Sequence, residues 1–203
     1  MEVKLIKNYF LPRKVLDIGA NIGQFRTLFQ KEYPHSLIFS VEASEGCEIY
    51  LKKLTNDYMI VLLGKDNETH NFYSRQDTDI GTGDSIYKEK TGFYADKNLK
   101  IIKKQSKRLD DIFSNEFDLI KIDTQGSEID IIKGGPILCS KSKGIILEVS
   151  MNEYNIGSPL YEEVVDFMKS IGFLEKETLR EIKNHIANQK DILFLNESVY
   201  NNI

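Results

Sequence analysis

The chain has 203 residues, 41% hydrophobic and 29% charged, with a net charge of −4. That composition suits a single globular domain over residues 1–203 with a full core. It excludes a global pull toward nucleic acid or anionic membrane, and no 18-residue apolar run is present to span a bilayer.

In chain order, the opening MEVKLIKNYFLPRK is too short and too charged for a signal peptide, so the expected location is the cytoplasm. Lys14 to Ile18 reads as a buried strand entering a tight turn. Ile22, Phe25, Leu28 and Phe29 recur at helical spacing, and Pro34 closes that helix. Leu37 to Val41 is a second strand, followed by Glu42. Residues 44–54 are helical, with Ser44 as the expected N-cap. Tyr58 to Leu63 makes a third strand. A β-α-β-α-β series implies a parallel sheet covered by helices on both faces.

The alternation then breaks. Thr69 to Ser74 and Lys100 to Gln105 read as strands around a polar, glycine-bearing stretch at 76–92. A hairpin-like insertion of this length is expected to act as a lid or binding loop. The alternation resumes with a strand at Phe117 to Ile122 and a helix at 127–134 closed by Gly134-Gly135-Pro136. A strand at Gly144 to Val149 and an amphipathic helix at 160–170 follow, then two strands containing Gly172-Phe173-Leu174 and Asp191 to Leu195. Cys47 and Cys139 lack paired spacing and read as free, buried thiols. His35, His70 and His185 form no metal-ligand spacing and read as surface or loop residues, with an acceptor-pocket wall as the alternative for His70 or His185.

Two constellations carry chemistry. The first is Asp17-Ile18-Gly19-Ala20-Asn21-Ile22-Gly23, a strand, a glycine turn and a helix start. Gly19 permits the turn, and Gly23 lets the helix approach a nucleotide-like ligand. A nicotinamide dinucleotide wants a third glycine, so that its pyrophosphate can sit on the helix N-terminus. Here Asp17 would repel a pyrophosphate and attract the ammonium and sulfonium of S-adenosylmethionine. Glu42, 19 residues after Gly23, is placed to accept hydrogen bonds from ribose hydroxyls.

The second constellation is Leu119-Ile120-Lys121-Ile122-Asp123-Thr124-Gln125-Gly126-Ser127-Glu128. Asp123 emerges at the carboxyl end of a central strand, where open α/β sheets hold their ligands. Glu148 ends the next strand at the same edge, and Glu128 falls in a helical first turn, where the dipole favours an acid. Methyl transfer to a hydroxyl needs an in-line acceptor and a group that removes its proton. Asp123, Glu148 and Glu128 are the candidate catalytic carboxylates. Asp123 can instead orient the acceptor or the methionine amine, and the three together can hold a hard divalent cation.

These residues together resemble the FkbM-type family of S-adenosylmethionine-dependent methyltransferases. The resemblance rests on VLDIGANIGQF (15–25), FSVEAS (39–44), DLIKIDTQGSEIDIIKGG (118–135), ILEVS (146–150) and DILFLN (191–196), in that order. It implies a Rossmann-like three-layer α/β sandwich. The sheet would have seven mostly parallel strands, with an antiparallel last strand and a β-hairpin insertion between the third and fourth. By this resemblance Asp17, Gly19, Ala20, Asn21 and Gly23 cradle the cofactor, Glu42 holds the ribose, Ala43 beside it also binds the cofactor, and Gly64 lies near the adenine. The family often carries Glu where this chain has Gln125, and a neutral amide there argues against a bound metal. Gly81-Thr82-Gly83-Asp84-Ser85 matches the family's glycine/serine-rich segment and is expected to border the acceptor, a hydroxyl-bearing small molecule, sugar or glycan.

Alternative readings are a silent adenosylmethionine- or nucleoside-binding module and, against Asp17 and the missing glycine, a nicotinamide oxidoreductase. Lys97, Lys100, Lys103, Lys104, Lys107 and Arg108 read as a solvated edge strand or as a rim for an anionic acceptor. Aromatic interleaving is too sparse there for nucleic acid. Tyr87, Phe93 and Tyr94 are either hairpin core or a stacking surface for the acceptor. The sequence sets no oligomeric state.

Overall fold

The structure is a computed structural model that describes residues 1–77, 80–90, 98–184 and 188–201. Its elements are β1 (Lys14–Ile18), α1 (Gln24–Glu32), β2 (Leu37–Glu42), α2 (Glu48–Leu54), β3 (Tyr58–Ile60), β4 (Leu62–Leu63), β5 (Thr69–Arg75) and β6 (Leu99–Lys107). There follow α3 (Leu109–Ile112), β7 (Leu119–Ile122), α4 (Glu128–Gly134), α5 (Pro136–Ser140), β8 (Gly144–Ser150), α6 (Tyr161–Ser170), β9 (Phe173–Lys183), β10 (Asn188–Asn196) and α7 (Glu197–Tyr200).

Seven strands form one sheet in the order β3-β2-β1-β7-β8-β10-β9. β3, β2, β1, β7 and β8 pair in parallel, while β10 runs antiparallel to both its neighbours. The central strands are apolar because both their faces are covered. All four residues of β7 are buried, as are the first six of β8. Alternating side chains feed two cores. Leu16, Ile120 and Leu147 pack with Ile132, Val164 and Met168 of the helices on one face. Val15, Leu119 and Leu193 pack with Phe25 and Phe29 of α1 and Ile6 on the other. The expected three-layer sandwich is thus the observed one.

The third strand differs from its expected single run. β3 stays beside β2 only to Ile60, and Val61 N–H donates to the Glu42 carbonyl at 2.8 Å. The chain then leaves the main sheet, and Leu62 and Leu63 pair in parallel with Ser106 and Lys107 of β6. β5 and β6 form the expected antiparallel hairpin.

Two expected ends also differ. Ser44 does not cap a helix: its hydroxyl donates to Asp84 Oδ2 at 2.8 Å, and a 3-10 turn at Glu45–Cys47 opens the helical region. Pro136 does not merely follow a helix but starts α5, where its missing N–H costs nothing. Asp110 accepts the next two N–H groups, of Ile137 and Leu138, at 3.0 and 2.9 Å. Cys47 and Cys139 are free and buried, as expected.

Candidate functional site

A cavity of about 540 Å³ opens at the carboxyl edge of the parallel strands, the position that open α/β sheets reserve for ligands. Gly19, Ala20, Asn21, Glu42, Ala43, Asp123 and Glu148 all line it. The two dense motifs therefore meet in space as expected. Asp17, Gly23, Gly64 and Glu128 are not among its lining residues.

The glycine turn owes its shape to close backbone approach. Gly19 has φ +75°, and a Cβ there would stand 1.8 Å from the Asp123 carbonyl oxygen, so only glycine lets the turn cross the end of β7. Gly23, φ +87°, serves a different purpose from the one its spacing suggests. A Cβ there would meet the Leu54 side chain at 2.5 Å, so this glycine lets α1 pack on α2. Gly64 likewise faces structure, not ligand. Its carbonyl oxygen would be 2.1 Å from a Cβ on Gly134, and the neighbouring Leu62 and Leu63 line the cavity in its place.

Glu42 ties the turn to the second strand. Its Oε2 accepts from Asn21 N–H at 2.7 Å, and its Oε1 accepts from Ala43 and Ser44 N–H at 2.8 and 2.7 Å. Burial raises its pKa, and the three backbone donors work against that rise. Asn21, in the left-handed region at φ +48°, donates from Nδ2 to the Gly81 carbonyl at 3.0 Å. At the far end of the same loop, Ser85 Oγ donates to the Gln125 carbonyl at 2.9 Å. The loop Gly81–Ser85 is thereby strapped across the cavity between the two motifs.

Asp17 is fully buried behind the cavity wall, and neither of its oxygens receives a hydrogen bond. Its counter-charge is the buried Lys121 ammonium, 3.6 Å from Oδ1. Burial pushes Asp17 up to about 6, against the pull of Lys121. The same ammonium donates to Asp123 Oδ2 at 3.1 Å. Burial alone would raise Asp123, but Lys121 outweighs it and holds this carboxyl below its ordinary value.

Gln125, at φ +57°, joins the two carboxylates of the site. Its Nε2 donates to Asp123 Oδ1 at 3.1 Å and to Glu148 Oε2 at 2.5 Å. A glutamate here would add a third carboxylate between two others. Glu128 turns the other way. Its Oε1 accepts from Thr124 N–H at 2.8 Å, Thr124 Oγ1 at 3.2 Å and Gly126 N–H at 3.1 Å, so it shapes the loop rather than facing the cavity. Burial pushes it up to about 7.

Three further residues arise only from strand pairing. Asp191 of β10 lies opposite Glu148 of β8 on one side and Arg180 of β9 on the other. Arg180 reaches Glu148 Oε1 at 3.3 Å and Asp191 Oδ2 at 2.5 Å. Gln189 Nε2 donates to Glu148 Oε2 at 3.1 Å. Oxygen atoms of Asp123, Glu148 and Asp191 lie within 4.8 Å of one another, and the cations answering them are the chain's own Lys121 and Arg180. Burial drives Asp191 up to about 6 and Glu148 well above its ordinary value. Arg180, Ile182, Asn184 and Gln189 form a cavity wall with Phe25 and Leu28. Register signals of this kind leave no local sequence motif.

The basic stretch is not one surface. Lys104 Nζ donates to the Ala43 carbonyl at 2.7 Å and pairs with Glu45, latching β6 to the turn after β2. Lys100, Lys103 and Lys107 are exposed, as a solvated strand requires. Tyr87 donates to Asp130 on α4 at 2.7 Å and does not line the cavity. His70 contacts Ser106 at 3.1 Å, also away from the cavity. Lys97, Phe93, Tyr94 and His185 lie outside the described residues.

A parallel sheet with a glycine turn after its first strand, an acid closing the second and one reversed strand near the far edge defines a Rossmann-like domain that holds its ligand at the strand ends. The methyltransferase FkbM domain profile matches residues 17–175, and the chain belongs to that family. Arg180, Gln189 and Asp191 lie beyond the matched stretch.

Solved structures share the fold. An FkbM methyltransferase from Methylobacillus flagellatus KT gives a TM-score of 0.55 at 16% identity, over 90% of this chain and 43% of its own. The chain thus spans less than half the length of that protein. Magnesium protoporphyrin IX methyltransferase from Synechocystis PCC 6803, solved with bound SAH, gives 0.56 at 9% identity over 95% of this chain and 78% of its own. A TehB-like SAM-dependent methyltransferase from Corynebacterium glutamicum gives 0.51 at 11% identity, over 96% and 86%. Comparison with curated protein sequences finds no match.

Proposed function

We propose that this chain is an S-adenosylmethionine-dependent O-methyltransferase whose acceptor is a hydroxyl on a sugar, glycan or natural product. We read residues 1–203 as a single catalytic domain acting in the cytoplasm; among the described residues, no helix is long and apolar enough to cross a membrane. The observation that carries the cofactor reading is the acidic surplus at the strand ends. Among the described residues, Asp17, Asp123, Glu148 and Asp191 form ion pairs with two cations, Lys121 and Arg180. Such a cluster attracts a sulfonium and repels a pyrophosphate.

The residues present fit that cofactor. The Gly19 turn admits a ligand beside bare backbone, and Glu42 and Ala43, which line the cavity, would hold the cofactor, with Glu42 on the ribose. Apolar Val61, Leu62 and Leu63 also line the cavity and would suit a purine. When bound, the cofactor supplies a methyl group on a cationic sulfur; an O–CH3 bond forms as the S–CH3 bond breaks, and sulfur leaves neutral.

The chain must position the hydroxyl and remove its proton. Glu148 suits the base, because burial and the neighbouring Asp123 and Asp191 charges raise its affinity for a proton. Asp123, kept ionised by Lys121, supplies fixed negative charge. Gln125 and Gln189 hold the Glu148 carboxylate in place. Calorimetry with adenosylmethionine and with NAD tests the cofactor. Release of adenosylhomocysteine across a panel of sugars tests the acceptor. Binding of NAD alone overturns the reading, and cofactor binding without turnover on any hydroxyl favours a silent binding module.

A further inference from the structure

Among the described residues, the four carboxylates at the strand ends form ion pairs with two cations, Lys121 and Arg180, and the pairing is uneven. Lys121 stands between Asp17 and Asp123 at 3.6 and 3.1 Å. Arg180 alone serves both Glu148 and Asp191, at 3.3 and 2.5 Å. Gln125 and Gln189 add neutral donors to Glu148, whereas among the described residues Asp191 has no close donor besides Arg180. Glu128 from α4 and Asp123 from β7 add further negative charge toward Glu148. Tyr154 lines the cavity near it. Lys121 acts on Asp191 from β7, and Arg26 acts on Asp17 from α1.

Resting on the methyltransferase reading, we propose that Glu148 and Asp191 share one proton in the ligand-free protein and release it when a cationic ligand enters the cavity. The cation itself then creates the ionised base. Two buried carboxylates on one guanidinium cannot both ionise cheaply, which is the physical reason for the retained proton. An added positive charge in the cavity removes that reason. Burial and the Asp123 charge push Asp191 up to about 6, and burial with the charges of Asp123 and Asp191 pushes Glu148 well above its ordinary value, both of which favour the retained proton. Asp123 is not the donor, because Lys121 already keeps it ionised. A neutral thioether leaves the proton where it was. The protein thereby tells the sulfonium from the thioether by charge, and becomes basic only when the methyl donor is present.

The experiment is isothermal titration calorimetry of the full chain near neutral pH, in two buffers of different ionisation heat. The ligands are S-adenosylmethionine and S-adenosylhomocysteine. The expected result is release of about one proton per adenosylmethionine and close to none per adenosylhomocysteine. Glu148→Gln and Asp191→Asn should each abolish the release while still binding, since the remaining carboxylate is already ionised beside Arg180. Equal proton release with both ligands, or none with adenosylmethionine in the wild-type protein, overturns the proposal. Failure of the wild-type protein to bind either ligand instead overturns the methyltransferase reading beneath it.

Discussion

Lys121→Met is the most informative single change, because it strips Asp17 of its counter-charge. Asp17 is fully buried and accepts no hydrogen bond, so without the ammonium only the Arg26 charge still favours its ionised form. Even with Lys121 present, moving Asp17 from 3.8 to about 6 costs roughly 3 kcal/mol of stability at neutral pH. The sign follows from the raised folded-state value. The cost is absent below the unfolded pKa and grows as pH rises through the folded one.

Removing the cation lifts Asp17 further and widens that window upward. The variant should lose about 3–5 kcal/mol near neutral pH, the usual cost of breaking a buried pair from one side. Urea unfolding at about pH 5 and about pH 8 should show a markedly larger loss at the higher value. Adding Asp17→Asn should restore at least half of what was lost. Equal losses at both pH values, or a double variant as unstable as Lys121→Met, would refute the claim that Asp17 and Lys121 are a buried pair.

Other changes separate the roles of neighbouring residues. Gly19→Ala should weaken adenosylmethionine binding by at least about tenfold in calorimetry, because its Cβ would strike the Asp123 carbonyl and the residue must keep φ +75°. Gln125→Glu should lower turnover and move the acid limb of the pH–rate profile upward, since a new carboxylate between Asp123 and Glu148 disfavours ionisation of the base. An unchanged profile would remove Gln125 from the site. Glu128→Ala should cost about 1–3 kcal/mol in urea unfolding by leaving the Thr124 and Gly126 N–H groups without their acceptor. Glu128 carries a folded value of about 7 against an ordinary 4.5, so that measured cost should shrink as pH rises between them.

The layered fold was legible because its signals are local. Apolar runs such as Leu119–Ile122 and the helical spacing of Phe25 and Phe29 each reside within a few residues. The glycine turn and the Asp123 motif were legible for the same reason, and they meet at one cavity. What stayed hidden depends on pairs far apart in the chain. Gly23 looks like a ligand-facing glycine until Leu54 is seen above it. Asp17 looks like a cofactor contact until Lys121 is found against it in the interior. Val61 sits in an unbroken apolar stretch, yet the main sheet ends there because β6 claims the next two residues. Glu148, Asp191 and Arg180 form a row only through the register of two antiparallel pairings, and a shift of one residue would turn Asp191 to the other face.

The reversal of β10 also bears on how a newly made chain becomes competent. In a parallel strand the site-facing residues come at the end, but here it is the beginning of β10 that arrives at the ligand edge, bringing Gln189 and Asp191. Both follow the glycine turn by more than 160 residues. During synthesis the glycine turn and Glu42 emerge long before the polar and acidic residues of β10. A polypeptide released before residue 188 would carry the turn and Glu42 without the Asp191 half of the charge cluster. Such a fragment would lack the proposed proton-sharing pair and the control it gives over the base.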